Sequence, residues 1–237
     1  MEQRAPVKIV NLIYDFDGLL LDTEPIYCRV NEIIAARYGK TFTRSHHRQI
    51  MGRQALDCAE ILVRELDLPL TAQEHLAARN ELIFDLLPEA KPMPGAVALT
   101  RRFYDLGVKQ AIATSSAEVT FRLKTRHHQD WLQIFDAIVL GDDVEVKQSK
   151  PAPDSFLVAA KRLGAAPESC LVFEDSPAGA AAAKAANMSV VAVPAQHMDL
   201  LLYEVADAIV PSLDAFDPSE WGLPDAATSD DFSKGQL

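Results

Sequence analysis

Two aspartates one residue apart close the first apolar run of the chain: Ile9-Val10-Asn11-Leu12-Ile13-Tyr14 leads into Asp15-Phe16-Asp17-Gly18. Side chains two apart on an extended strand point the same way, so Asp15 and Asp17 can serve one substrate and one metal. Two ionised carboxylates this close repel, so one of them holds a proton or a cation sits between them. Either state suits phosphoryl transfer. One carboxylate attacks phosphorus, the other protonates the leaving oxygen, and a divalent ion offsets the gathered negative charge. Taken alone, the same Asp-x-Asp-Gly string equally suits a turn that closes a strand.

Three further groups decide between these readings: Thr114-Ser115-Ser116, Lys150, and Glu174-Asp175. Each has a local explanation, as a helix N-cap, a solvated loop lysine and an acidic first helical turn respectively. Each also follows a predicted strand, and open parallel sheets bind their ligands beyond the carboxyl ends of the strands. The strands are read at Ile9–Tyr14, Gln110–Ala113, Ala137–Leu140, Cys170–Phe173, Ser189–Val193 and Ala208–Val210. Helices are read between them, over Ala96–Leu106, from Ala117, over Ser155–Leu163 and up to Ala186. Strand and helix alternating at this interval specify a parallel sheet covered on both faces, a doubly wound, Rossmann-like α/β core.

The stretch between the first strand and the proline-dense Pro88–Gly95 carries no strand pattern. Asp22-Thr23-Glu24-Pro25 reads as a helix start, and Ile26, Val30, Ile33 and Ile34 recur at helical spacing up to Gly39. Further helices are read over Ala55–Leu66 and Ala72–Leu87, the second opened by Thr71 with Glu74 in capping-box position. The expected organisation is an α/β core of residues 1–22 and 91–237 and an inserted α-helical cap domain of residues 23–90. The segment from Asp214 reads as a packed extension ending in a mobile tail.

The chain has 237 residues, and its formal charge of −11 disfavours nucleic-acid backbones, which need a basic surface. No apolar run approaches the roughly 20 residues that cross a bilayer, and the first residues lack a signal core. Cys28, Cys58 and Cys170 are an odd number at spacings that match no zinc or disulfide framework, so they read as packing residues in a reducing, cytoplasmic setting. His46-His47 and His127-His128 lack the carboxylate or cysteine company of a metal site. Asp142, Asp143 and Glu145 form an acidic turn that either orients Lys150 or is simply solvated.

In this order the four groups resemble the motifs of the haloacid dehalogenase superfamily, in its phosphatase branch with a helical cap inserted after the first strand. Asp15-Phe16-Asp17-Gly18, Ala113-Thr114-Ser115, Lys150-Pro151-Ala152-Pro153-Asp154 and Glu174-Asp175-Ser176 match motifs one to four. The flap Leu19–Glu24, the Met51-Gly52 stretch and Val139–Asp143 resemble the pseudouridine-5′-phosphatases and their sugar-phosphate and glycerol-phosphate relatives. The resemblance implies Asp15 as nucleophile and Asp17 as general acid and base. It implies Mg2+ held by Asp15, Asp175 and the main-chain carbonyl of Asp17, with Glu174 beside them. Phe16, Thr114, Ser115 and Lys150 would hold the phosphoryl group, with the prolines beside Lys150 keeping its loop extended. A cap closing over the phosphate would bring His47, Arg53 or Gln54 to the leaving group.

The expected activity is Mg2+-dependent hydrolysis of a small phosphorylated metabolite, pseudouridine 5′-phosphate first, by a monomer or homodimer. Two alternatives stay open: a β-phosphoglucomutase-like phosphotransferase, and a non-catalytic binding protein on the same fold. Tyr27 stands where the mutases of this branch carry a histidine, which weighs against the first. Asp17 weighs against dehalogenation, which has no leaving alcohol to protonate. Asn187 ends a helix where relatives often have glycine, and Asn tolerates the left-handed conformation required there.

Overall fold

A computed structural model describes residues 8–50, 55–196 and 198–224. Met51, Gly52, Arg53, Gln54 and the expected tail from 225 onward lie outside the described residues. The first apolar run forms β1 (Asn11–Tyr14), and the flap leads into the two-residue β2 (Leu21–Asp22). Helices α1 (Glu24–Arg37), α2 (Arg44–Ile50), α3 (Ala55–Glu65) and α4 (Ala72–Leu86) follow, and the chain returns through β3 (Lys91–Pro92). Then come α5 (Ala96–Asp105), β4 (Lys109–Ala113), α6 (Glu118–Lys124), α7 (Gln129–Leu132), β5 (Ala137–Val139) and α8 (Asp154–Leu163). The last elements are β6 (Cys170–Glu174), α9 (Pro177–Ala185), β7 (Ser189–Ala192) and β8 (Ala208–Ile209). The described residues of Met1–Asp22, Pro92–Phe121 and His128–Leu237 form one compact unit, those of Thr23–Lys91 and Arg122–His127 a second.

In the first unit the strands lie in the order β5-β4-β1-β6-β7-β8. Every pairing is parallel, which requires the long crossovers that the helices supply. β1 is central, with Tyr14 level with Ile112 on one side and Phe173 on the other. Ile13, Ala111, Ala113, Val172, Val190 and Ala192 share a buried cluster with residues of α8 and α9, including Phe156, Leu163, Ala180 and Ala183. On the opposite face Tyr14 stacks on Phe173 at 5.1 Å and meets the edge of Phe135, while Phe216 packs against Phe173. Both faces are therefore covered, and the strands read as near-continuous apolar runs for that reason. The fold is the expected doubly wound, Rossmann-like sheet. Asn187 has φ +58°, the left-handed value anticipated for it.

The regular elements among the described residues of the second unit are helices, apart from the short β3 segment at its edge. α1 buries Ile26, Val30 and Ile34. α4 starts in a complete capping box: Glu74 N–H donates to Thr71 Oγ1 at 3.2 Å, and Thr71 N–H donates to Glu74 Oε2 at 2.7 Å. α2 was not expected, since Arg-Ser-His-His-Arg-Gln-Ile buries only Ile50 and so carries no apolar period.

Candidate active site

The parallel register brings four chain segments to one rim. Asp15 continues β1, its N–H bonded to the Phe173 carbonyl at 3.0 Å. Thr114 continues β4, bonded to the Val139 carbonyl at 3.0 Å. Glu174 is the last residue of β6, and Lys150 arrives on the loop between β5 and α8.

The Lys150 ammonium is at the middle of the assembly. Its Nζ donates to Asp15 Oδ1 at 2.5 Å, to Glu174 Oε1 at 2.6 Å and to the Ala113 carbonyl at 3.0 Å. The Phe156 ring lies beneath it, 4.7 Å from Nζ to centroid. An ammonium has three donors, and here each has a protein acceptor, so Lys150 presents a fixed charge to the rim rather than a spare N–H. Burial opposes its charge, but the two carboxylates outweigh that and hold its pKa above the ordinary lysine value. The loop that carries it is turned, not extended as anticipated, because Ala152 N–H closes back on the Ser149 carbonyl at 3.0 Å.

Glu174, fully buried, is saturated on its other oxygen: Oε2 accepts the N–H and the Oγ of Ser176, both at 2.9 Å. Its carboxylate fills the space beside Gly179, where any Cβ would overlap it. Asp175 is placed by Tyr203, a buried side chain whose hydroxyl donates to the Asp175 carbonyl at 2.5 Å. The Asp175 carboxylate lies where a Cβ on Gly18 would be, and Gly18 has φ +81°. Glycine is required there twice over, for the turn and for the carboxylate.

Asp15, Glu174 and Asp175 each offer an oxygen within 4.8 Å of the others, which makes them the metal-sized acidic group among the described residues. Burial drives the Asp15 carboxyl up, Lys150 pulls it back, and Glu174 and Asp17 push it up again, leaving it at about 7. Asp175 is raised well above the ordinary carboxylate value, by burial first and then by Asp15 and Glu174. A divalent cation would offset both effects, and an all-oxygen donor set suits a hard ion such as Mg2+. The Asp17 side chain is outside this group. Its Oδ2 accepts from Ser116 Oγ at 2.7 Å and from Thr114 Oγ1 at 3.4 Å.

Of the remaining predicted residues, Phe16 buries its ring against Phe121 at 4.9 Å, so only its main chain is offered to a substrate. Ser115 is exposed at the rim, next to the buried Thr114. His47 Nε2 is 3.3 Å from Glu24 Oε1, and Arg53 and Gln54 lie outside the described residues. His46 bonds Thr43 through Nδ1, and His128 meets the edge of Trp131. The acidic turn is tied to two helices: Asp142 accepts from Glu118 N–H at the start of α6, and Asp143 pairs with Arg162 of α8 at 2.6 Å. Tyr203 and Gly179 were not singled out from sequence, and Ser116 was named with Thr114 and Ser115 but given no role of its own. Ser116 alone carried a hint, as the third hydroxyl residue after a strand.

Comparison with known proteins agrees with this arrangement. A family model described as haloacid dehalogenase-like hydrolase matches residues 12–193. The chain is 44% identical over 222 residues to (DL)-glycerol-3-phosphatase 2 of Arabidopsis thaliana, covering 92% of both chains. It is 40% identical to a probable pseudouridine-5′-phosphatase of Drosophila melanogaster, covering 94% of this chain and 98% of that one. A solved Thermotoga maritima structure, described as a candidate β-phosphoglucomutase, superposes with TM-score 0.74 at 32% identity, covering 85% and 94% of the two chains. With a parallel sheet bringing two acid pairs and a lysine to one rim, the chain belongs to the haloacid dehalogenase-like hydrolase family and is a phosphatase of that family.

Proposed function

We propose that the protein hydrolyses a small phosphate monoester of a primary alcohol, with Mg2+, through a phosphoryl group carried on Asp15. The observation that supports this most directly is Lys150 Nζ held between Asp15 at 2.5 Å and Glu174 at 2.6 Å. Lys150 offsets part of the burial that favours the protonated form of Asp15, and ionisation is what a carboxylate nucleophile needs. Asp15 forms a bond to phosphorus as the ester bond breaks, and the leaving oxygen takes a proton from Asp17. Asp17 then takes a proton from the water that releases inorganic phosphate and restores Asp15. Asp15, Asp175 and the Asp17 carbonyl would hold Mg2+, with Glu174 beside them fixing Lys150. When bound, Mg2+ supplies positive charge to the phosphoryl oxygens. Thr114 and the main chain at Phe16 and Ser115 supply further donors, since a transferring phosphoryl group has to be held and neutralised.

The named substrates of the two relatives, glycerol 3-phosphate and pseudouridine 5′-phosphate, both carry phosphate on a primary carbon. We place this chain's substrate in the same class, with the helical unit carrying the selectivity for the alcohol. The test is phosphate release from a panel containing both compounds and β-glucose 1-phosphate, by wild type and by Asp15→Asn. Release from a primary phosphate by wild type and none by the variant is expected. Release that persists in Asp15→Asn removes Asp15 as nucleophile, and isomerisation without release makes the protein a mutase.

A further inference from the structure

Asp17 can protonate a leaving oxygen only if its carboxyl is aimed at that oxygen, and the side chain has to be held there by something. Its Oδ2 meets the hydroxyls of Thr114 and Ser116. Thr114 Oγ1 is 3.4 Å away, at the outer limit of a hydrogen bond, whereas Ser116 Oγ is at 2.7 Å, the ordinary distance for a hydroxyl donating to a carboxylate. Ser116 is itself fixed at both ends of its backbone. Its N–H donates to Thr114 Oγ1 at 3.1 Å, and its carbonyl accepts from Gly141 N–H at 2.8 Å. Two residues after Ser116, Glu118 N–H donates to Asp142 at 3.0 Å, so the loop after β5 braces the Ser116 segment at two points. Gly141 is required for that approach, because a Cβ there would overlap the Ser115 carbonyl.

A serine after a strand ordinarily closes its own turn, but here Oγ donates to a carboxylate 99 residues away in sequence. The geometry points to Ser116 as the positioning residue of the general acid: its hydroxyl holds the Asp17 carboxyl by Oδ2 in the orientation from which it gives a proton to the departing alcohol. This rests on the phosphatase reading above and deepens it. In the step concerned, the Asp15–phosphorus bond forms, the phosphorus–oxygen ester bond breaks, its electron pair goes to the alcohol oxygen, and that oxygen takes the Asp17 proton. Ser116 exchanges no atom in this step. Its contribution is largest where the leaving oxygen most needs a proton, which is with alkyl phosphates, and smallest with activated aryl phosphates.

The experiment compares kcat/KM for the best alkyl phosphate of the panel with kcat/KM for p-nitrophenyl phosphate, in wild type, Ser116→Ala and Ser116→Thr. This quantity covers the steps up to departure of the alcohol, so the later role of Asp17 toward water does not enter. Ser116→Ala should lower the alkyl-to-aryl ratio by about tenfold or more, within the range of general acid catalysis, and Ser116→Thr should restore most of it. An equal loss on both substrates, or no loss on either, overturns the inference, since a merely structural or phosphoryl-binding serine would act on both alike. A wild type that releases phosphate from neither substrate fails the phosphatase reading itself, a result separate from any behaviour of Ser116.

Discussion

Lys150 Nζ lies 2.5 Å from Asp15 Oδ1, joining side chains 135 residues apart at the rim of the sheet. Lys150→Met would leave Asp15 and Glu174 as buried acids with no counter-charge, a change that costs about 3 kcal/mol or more when both are ionised. A carboxyl raised in the folded state contributes stability at acid pH and loses it as pH climbs. For Asp15 that window runs from the unfolded value near 4 to about 7. Without Lys150 the window moves higher. Urea unfolding of metal-free protein should therefore show a larger deficit for Lys150→Met at pH 8 than at pH 5, and equal deficits would contradict the pairing.

Metal affinity should depend on pH through the same carboxyl. Asp15, at about 7, has to lose its proton to act as a ligand. Apparent Mg2+ affinity is then expected to rise at least about tenfold per pH unit below 7, with the raised Asp175 carboxyl adding to the dependence. Calorimetric titration at pH 6, 7 and 8 measures this, and an affinity constant across that range would count against Asp15 as a ligand.

Gly179→Ala is the substitution where propensity and packing disagree. Alanine within a helix is favoured over glycine by about 1 kcal/mol, which predicts a more stable protein. The Cβ would overlap the Glu174 carboxylate and push it off Lys150. We expect a loss of melting temperature and a drop in kcat of at least about tenfold, on the usual scale for disturbed catalytic positioning. A variant more stable and equally active would show that Glu174 has room to move.

Thr71→Ala addresses the helical unit alone. It removes the hydroxyl that caps α4 and should cost about 1 kcal/mol. The Thr71 N–H and hydroxyl hold Glu74 below its ordinary pKa, so the part of the capping box carried by Glu74 is present near neutrality and fades as pH falls through its folded value. Thermal melts at pH 7 and pH 3 should show wild type and variant converging in acid, while p-nitrophenyl phosphate turnover at pH 7 is unaffected.

The rim was legible because apolar runs stop abruptly in polar residues: Tyr14 gives way to Asp15, Ala113 to Thr114, Phe173 to Glu174. Such boundaries mark strand ends, and parallel topology then brings them together. What could not be read depends on side chains from distant segments. Ser116 looks like its neighbours Thr114 and Ser115, and only the fold shows that it meets Asp17. Gly179 sits in Ala178-Gly179-Ala180-Ala181 as one small residue among several, and its reason is the carboxylate of Glu174. α2 escaped notice because one buried isoleucine makes no period. The turn at Lys150 was mistaken for extended chain because proline flanks restrict the backbone without saying which way it goes.

The strand that leads to Asp15 waits longer in sequence for its two neighbours than any other interior strand of the sheet. β1 ends at Tyr14, yet its hydrogen-bonding neighbours are β4 at Lys109–Ala113 and β6 at Cys170–Glu174. A nascent chain thus contains Thr23–Lys91 of the helical unit before β1 has a partner on either side, and both partners are present only once Glu174 has been added. Chaperones that shield a bare apolar segment would have their longest window here. Translation pauses introduced upstream of residue 109 should raise aggregation more than pauses placed after residue 174.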